Sequence, residues 1–302
     1  MISRKNISTI KFKTSALVIM LSLFSLAAFS QLRPSITQYF FNPYAVNSAF
    51  AGKESGLGLN FAYRFNIENR QGGSSTQLLS TDVKLDKSGF GFLFQNDKTG
   101  LLSQKSYKFS YAYHFNLSQT TNLNFGLSSN FKQNRFDVNN ATINDVDDTF
   151  PAQFNSRKAE VDFDFGAALT SDKITVQVSL PNLKQTFSQA DKITFNQSLY
   201  AAVSYKFNGD NNKFWNLEPI LAYSVINDAK NRADLGLRLN LLEDQIGFLA
   251  LYQSDNSFSG GVNVNLKQGF SILGSYNSTK LISNLASNNT FELAVKTRLF
   301  KK

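Results

Sequence analysis

The chain has 302 residues, 42% of them hydrophobic, with 29 Phe and 11 Tyr against one Trp, two Met and no Cys. Its formal charge is +9 and its sequence pI about 9.5. Disulfides and thiolate metal sites are excluded. The basic residues form no clustered patch, so no nucleic acid is expected as a partner.

Residues 1–30 read as a cleaved secretory signal. Arg4, Lys5, Lys11 and Lys13 form a basic start, and "SALVIMLSLFSLAAFS" an apolar core too short to span a bilayer comfortably. Ala28 and Ser30 are the small residues of a cut before Gln31. No Cys follows the leader to carry a lipid anchor.

Next comes "FNPYAVNSAFAG", Phe41 to Gly52, uncharged, rich in turn formers and flanked by Tyr39 and Phe40. Asn and Pro favour turns, and Pro43 opposes a regular strand. Aromatic rings do not stay in water without cost, about 1.5–3 kcal/mol for a side chain such as Phe. Residues 31–55 are therefore expected as a plug or packing segment, set at the periplasmic mouth of a strand-built domain or in its lumen.

From residue 56 onward the chain alternates. In "LGLNFAYRFN", Leu57, Leu59, Phe61, Tyr63 and Phe65 share one face, and Gly58, Asn60, Ala62, Arg64 and Asn66 the other. "SYKFSYAYHF" (106–115), "VDFDFGAAL" (161–169), "ADLGLRLNL" (233–241) and "FELAVKTRL" (291–299) repeat the pattern. Weaker strands fall near 76–85, 89–96, 121–131, 173–180, 197–207, 215–225, 245–253, 257–266 and 269–277. The apolar faces of the strong strands carry no charge, as lipid demands, since Lys or Arg at the midplane costs about 2–4 kcal/mol. These runs approach the roughly 10 residues that a tilted strand needs to cross a bilayer. Strands of a soluble sandwich are shorter, about 5–6 residues.

The predicted fold class is therefore all-β: a transmembrane antiparallel β-barrel of about 14 strands over 56–302. Connections after even strands ("LDKSG", "NLSQT", "TSDK", "LED", "LKQG") are short. Several after odd strands are long, including "IENRQGGSS", "NDKTGLLS", the stretch 132–159 and "PNLKQTFSQADK". Short periplasmic turns and longer extracellular loops are the barrel pattern.

Catalysis finds little support. His114 is the sole His and falls on the polar, lumen-facing side of its strand, which gives no hydrolase pair on the lipid side. "DVNNATINDVDD" (Asp137 to Asp148) has the composition of a calcium loop without the Gly that an EF-hand turn needs. Asp162 and Asp164 share a face without an opposed acid, and "GFGF" lacks the third Gly and the helix of a phosphate loop. No enzyme, metal or cofactor is expected.

The stretch "TQYFFNPYAVNSAFAG" resembles the front motif of the PorP/SprF family, outer-membrane barrels of the type IX secretion and gliding machinery of Bacteroidota. The matching positions are Gln38, Tyr39, Asn42, Pro43, Asn47, Ala49 and Gly52. Tyr63–Arg64 matches the family's "YR", and Asn96, Asp97 and Gly100 its "ND..G". Tyr276, Glu292 and Phe300 match its closing pattern. Ser48 stands where the family has a second Pro, Phe291 where it often has His, and Trp215 is the only Trp. The resemblance implies a non-catalytic component in the outer membrane, surrounded by its lipid. Its implied partners are a secreted adhesin or cargo C-terminal domain, a periplasmic peptidoglycan-binding lipoprotein, or both. The other reading of such a barrel is a passive channel.

Overall fold

The computed structural model describes residues 37–67, 73–137, 150–187, 197–208, 214–227, 230–266, 269–280 and 287–300, all within the compact unit Leu32–Lys302. The leader expected over 1–30 and all but the first residue of the acidic stretch 137–148 lie outside the described residues.

Among the described residues the chain forms fourteen antiparallel strands. The first seven are β1 Leu57–Asn66, β2 Ser75–Leu85, β3 Ser88–Thr99, β4 Leu102–Asn116, β5 Asn122–Phe136, β6 Glu160–Thr170 and β7 Ile174–Leu180. The others are β8 Gln197–Tyr205, β9 Trp215–Ile226, β10 Arg232–Leu241, β11 Ile246–Gln253, β12 Phe258–Asn265, β13 Phe270–Lys280 and β14 Ser287–Leu299. Each pairs with its neighbours in sequence. β14 pairs with β1 from Leu57↔Leu299 to Asn66↔Thr290, which closes the sheet on itself. One closed sheet leaves no edge and is not a two-sheet sandwich.

Alternation sets the two walls. Outward side chains such as Phe61 (50% exposed), Phe109 (54%) and Leu235 (59%) make an apolar exterior. Cross-strand rings tie β3 to β4 there: Phe90–Tyr111, Phe92–Phe109 and Phe94–Tyr107 have centroids 5.4, 5.1 and 5.2 Å apart. A charged side chain among them would meet lipid. No helix among the described residues is long and apolar enough to cross a membrane.

Two local expectations change. "NDKTGLLS" is not a loop: β3 and β4 stay paired to Thr99↔Leu102, leaving only Gly100 and Leu101 between them. Gly100 takes φ +59°, which an L residue resists, and the polar residues Asn96–Lys98 extend the ladder beyond the apolar band. β8 is interrupted at Lys206 before a two-residue extension, Phe207–Asn208, that pairs with Asn216 and Leu217. The break lies beside Pro219, which has no N–H for the ladder; β8 pairs with β9 only from Ile220 onward. Two of the long connections carry a short helix each, at Phe150–Asn155 and at Leu183–Phe187.

The interior is a packed core. Inward Ala62, Leu78, Leu93, Ala112, Ala168, Tyr200, Ile220, Leu249, Leu251, Leu273 and Ala294 are buried in one cluster. The rings of Tyr39, Phe40, Phe41, Tyr44 and Phe50, from the segment ahead of β1, complete it.

Candidate functional site

The segment ahead of β1 folds as three single turns: α1 Gln38–Phe41, α2 Pro43–Val46 and a 3-10 turn Ser48–Phe50. Its two Asn residues are the joints. Asn42 and Asn47 have φ −137° and −141°, outside the helical region, and break the chain between the turns. Pro43 opens α2, where its missing N–H costs nothing. Asn47 Oδ1 accepts the Ala49 N–H at 3.0 Å and caps the 3-10 turn. Gly52 ends the segment at φ +61°, and its N–H donates to Asp82 Oδ2 at 3.0 Å.

The segment is held around the inner wall. On β14, Glu292 Oε1 accepts from Thr37 Oγ1 and Gln38 Nε2, each at 2.9 Å. On β8 and β10, the Tyr39 ring stacks on Tyr200 with centroids 4.8 Å apart, and Arg232 donates to the Tyr39 hydroxyl at 3.4 Å. Asp234 orients that guanidinium, with Nε–Oδ1 at 2.7 Å and Nη2–Oδ2 at 3.0 Å. Arg238, paired with Glu218, donates to the Phe40 carbonyl at 3.4 Å and lies 5.3 Å from the centre of its ring. Lys296 repeats this at Phe41, with its carbonyl at 3.3 Å and its ring centre at 5.8 Å.

Farther along, Asn42 Nδ2 donates to Ser80 on β2 at 2.9 Å, and the Tyr44 hydroxyl donates to Ser110 on β4 at 3.0 Å. Asn47 Nδ2 reaches the Ala167 and Val178 carbonyls and Gln177 Oε1 within 3.4 Å. At three glycines the wall comes especially close to the segment. A Cβ on Gly126 would lie 2.3 Å from the Ser48 carbonyl carbon, and one on Gly89 1.9 Å from the Ala51 oxygen. A Cβ on Gly166 would lie 2.0 Å from Asn47 Oδ1. Burial pushes the Tyr39 hydroxyl up to about 12; the Arg232 charge opposes this and the Asp234 carboxylate adds to it. Burial also raises Tyr44, against the pull of its Ser110 hydrogen bond.

On β6, residues of the β7–β8 connection fold against inward acids. Asp164 Oδ1 accepts the Asn182 N–H at 3.0 Å, and its other oxygen pairs with Lys108 Nζ at 2.7 Å. Asp162 Oδ1 accepts the Lys184 N–H at 2.8 Å, and Lys132 donates to the Asn182 side chain. Asp162 and Asp164 thus anchor a loop.

Of the motif residues, Gln38, Tyr39, Asn42, Pro43, Asn47, Ala49 and Gly52 come together in this segment. Arg64 and Asp97 meet on the inner wall at Thr76: Arg64 Nη2 donates to Thr76 at 3.1 Å, and Thr76 pairs with Asp97 in the β2–β3 register. Arg64 also lies opposite Glu292 in the β1–β14 register. Tyr63 stands apart on the outer wall, stacked on Phe65 at 5.6 Å. Asn96, between Gln77 and Ser103, and Gly100, in its turn, are apart from the segment too. Of the closing pattern only Glu292 reaches the segment; Tyr276 and Phe300 are exposed. Sequence reasoning did not single out Tyr200, Arg232, Arg238 and Lys296, or Ser80, Ser110 and Gln177. Their only signal was an inward place in the alternation. Among the described residues no group of three His, Cys, Asp or Glu side chains could hold a metal.

The chain is similar at low identity to an outer membrane protein and to a porin. The Acinetobacter baumannii outer membrane protein Omp33 is 9% identical, with a TM-score of 0.49 over 82% of this chain and 100% of its own. A mutant of the Rh. blastica porin is 12% identical, with a TM-score of 0.37 over 80% of this chain and 98% of its own. No curated protein sequence matches the chain. A family model described as "Type IX secretion system membrane protein PorP/SprF" matches residues 28–297. With its closed fourteen-strand wall, apolar outside and packed inside, the chain belongs to the PorP/SprF family of type IX secretion system membrane proteins and is an outer-membrane β-barrel.

Proposed function

We propose that this barrel works by docking other proteins, not by conducting solutes or by catalysis. In this reading residues 1–30 are a cleaved export signal, 31–55 a resident plug and 56–302 the wall. The outer end receives a secreted adhesin or the C-terminal domain of a cargo protein, and the periplasmic end a peptidoglycan-binding lipoprotein. The observation that carries the reading is the segment inside the wall: the turns of 37–52 hydrogen-bond to the inner faces of β2, β4, β10 and β14, stack on Tyr200 of β8 and bury five aromatic rings there. A barrel that holds such a segment inside offers its two ends to partners more readily than its centre to solutes.

Deletion of the gene tests it, with planar-bilayer conductance of the purified barrel beside it. The expected result is loss of a surface adhesin or of motility together with negligible conductance. Intact secretion and motility in the deletion strain, with a freely conducting barrel, would make the chain a passive channel and end the docking reading.

A further inference from the structure

Asn96 and Gly100 lie apart from the lumenal segment, on the β3–β4 hairpin. Gly100, at φ +59°, forms a two-residue turn with Leu101, and the ladder stays paired to Thr99↔Leu102. The hairpin is therefore wall to its tip. It stands at the end opposite Leu57 and Leu299, the end of the longer connections, which in an outer-membrane barrel faces away from the periplasm.

The outward residues of β2 to β5 lie here in rows. Leu79, Phe94, Tyr107 and Phe131 are paired side by side and form the last apolar row. Two residues farther out come Gln77, Asn96, Lys105 and Gln133, and two farther again Ser75, Lys98, Ser103 and Arg135. Asn96 ties the rows together: its Nδ2 donates to Gln77 Oε1 at 3.2 Å, and its Oδ1 accepts from Ser103 Oγ at 3.3 Å. It faces outward, yet it is only 8% exposed. Lys98, Lys105 and Arg135 are exposed.

Rows on one strand stand roughly 7 Å apart and neighbouring strands about 4.8 Å apart, so the three cationic side chains start within about 10 Å of one another. Their long stems can bring all three heads to one anionic group. Among the described residues none of the three is in an ion pair. Asp97, between Asn96 and Lys98, faces inward, and Asp137 follows Arg135 at the next outward position of β5. Three cations thus face one carboxylate. The charge is confined to this place. At the other end of the same strands the outward residues are Leu85, Ser88, Phe115 and Leu123. Across the barrel, at the same end as the cations, they are Val225, Ala233, Tyr252 and Phe258, again uncharged.

We propose that the outer faces of β3, β4 and β5 bind the phosphorylated headgroup of an outer-leaflet glycolipid of the lipid A kind. Lys98, Lys105 and Arg135 meet the phosphate, and the acyl chains lie against Phe94, Tyr107 and Phe131. Arg135 can take two phosphate oxygens at once, and the lysines act as point charges. The aromatic row two residues below selects a lipid over a soluble phosphate: a ligand on this boundary is anionic at one end and hydrocarbon at the other. Gln77 and Gln133 flank the cations as neutral partners for sugar hydroxyls. The paired ladder holds all three cations on rigid backbone, which lowers the ordering cost of binding.

The full-length barrel in detergent is titrated with a monophosphorylated lipid A and with its dephosphorylated form, and bound lipid is read by native mass spectrometry. The parent should prefer the phosphorylated lipid by about tenfold or more, the factor carried by one charge-assisted hydrogen bond. Lys98→Gln, Lys105→Gln and Arg135→Gln combined should erase the preference, and each alone should lower it. Lys98→Arg with Lys105→Arg should keep it. So should Lys87→Gln with Lys173→Gln, which removes two exposed cations from the periplasmic turns. Free glucosamine 1-phosphate, the anion without the chains, should not displace the lipid at equal concentration. Equal binding of the two lipids by the parent, an undiminished preference in the triple variant, or an equal loss in the Lys87 and Lys173 variant overturns the proposal. Displacement by glucosamine 1-phosphate at equal concentration overturns the lipid assignment and makes this a site for a soluble phosphate.

Discussion

Arg298 Nη2 lies 3.1 Å from Asp82 Oδ2, an ion pair between β14 and β2 that passes over the strand between them, β1. Gly58 of β1 makes this possible: a Cβ there would lie 2.3 Å from Asp82 Oδ1 and 2.7 Å from Arg298 Nη2. The pair thus clasps the barrel where its first and last strands meet. Asp82 also takes the Gly52 N–H, so the clasp and the lumenal segment share one carboxylate.

Gly58→Val should open this clasp, as should Asp82→Asn. Hydrogen bonds to charged groups are worth about 1.5–3 kcal/mol each. Both variants should lower the temperature at which the folded gel band converts to the unfolded one. Unchanged conversion temperatures would mean the clasp contributes nothing to closure.

Gly126→Ala and Gly166→Ala should displace the segment while leaving the wall intact. Each new methyl would meet the segment at 2.3 Å or less, whereas at Gly274 the nearest heavy atom is 3.7 Å away. Hydrogen exchange of Tyr39–Ala51 should accelerate in the first two variants and stay slow in Gly274→Ala. Equal protection in all three would refute the close approach of wall and segment.

Phe61→Arg and Asn60→Arg should fail in different ways. Phe61 is 50% exposed on the outer wall, where Arg costs about 2–4 kcal/mol at the midplane, so insertion should suffer. Asn60 faces inward, but it is only 5% exposed, so a larger, charged side chain there must displace what packs around it. Asn60→Arg should insert and give the heat-modifiable band, yet lose exchange protection over Tyr39–Ala51. Equal insertion of the two variants would mean the walls are assigned the wrong way round.

Alkaline pH should loosen the Tyr39 end. Burial raises this hydroxyl to about 12 in the folded protein, from an ordinary value of about 10. The neutral form is favoured by folding, so its contribution is whole below about pH 10 and is lost as pH rises toward about 12. Absorbance titration of the parent minus Tyr39→Phe should show one tyrosinate forming near pH 12. A difference curve centred near pH 10 would place Tyr39 in water.

The wall was legible in the sequence because a transmembrane strand has one dominant constraint. Every second residue meets lipid, so Leu57, Leu59, Phe61, Tyr63 and Phe65 announce both the strand and its outer face. The same period placed Arg64, Asp162, Asp164 and His114 on the inner face. Phe41–Gly52 could be read as turn-forming and as needing burial, because Asn, Pro and aromatic residues act locally. Which partners bury it was decided by the tertiary structure. Glu292 is 254 positions from Gln38 and Arg232 is 193 from Tyr39, and only closure of β14 on β1 and the register of each ladder bring them together. Gly126 and Gly166 look in sequence like small residues of a polar face. They are contact points because the backbone of Ser48 and the side chain of Asn47 lie where a Cβ would be. The partners of His114 are likewise invisible in the chain. Ala51 and Asn124 share one corner with it only after the barrel has closed around its own leading segment.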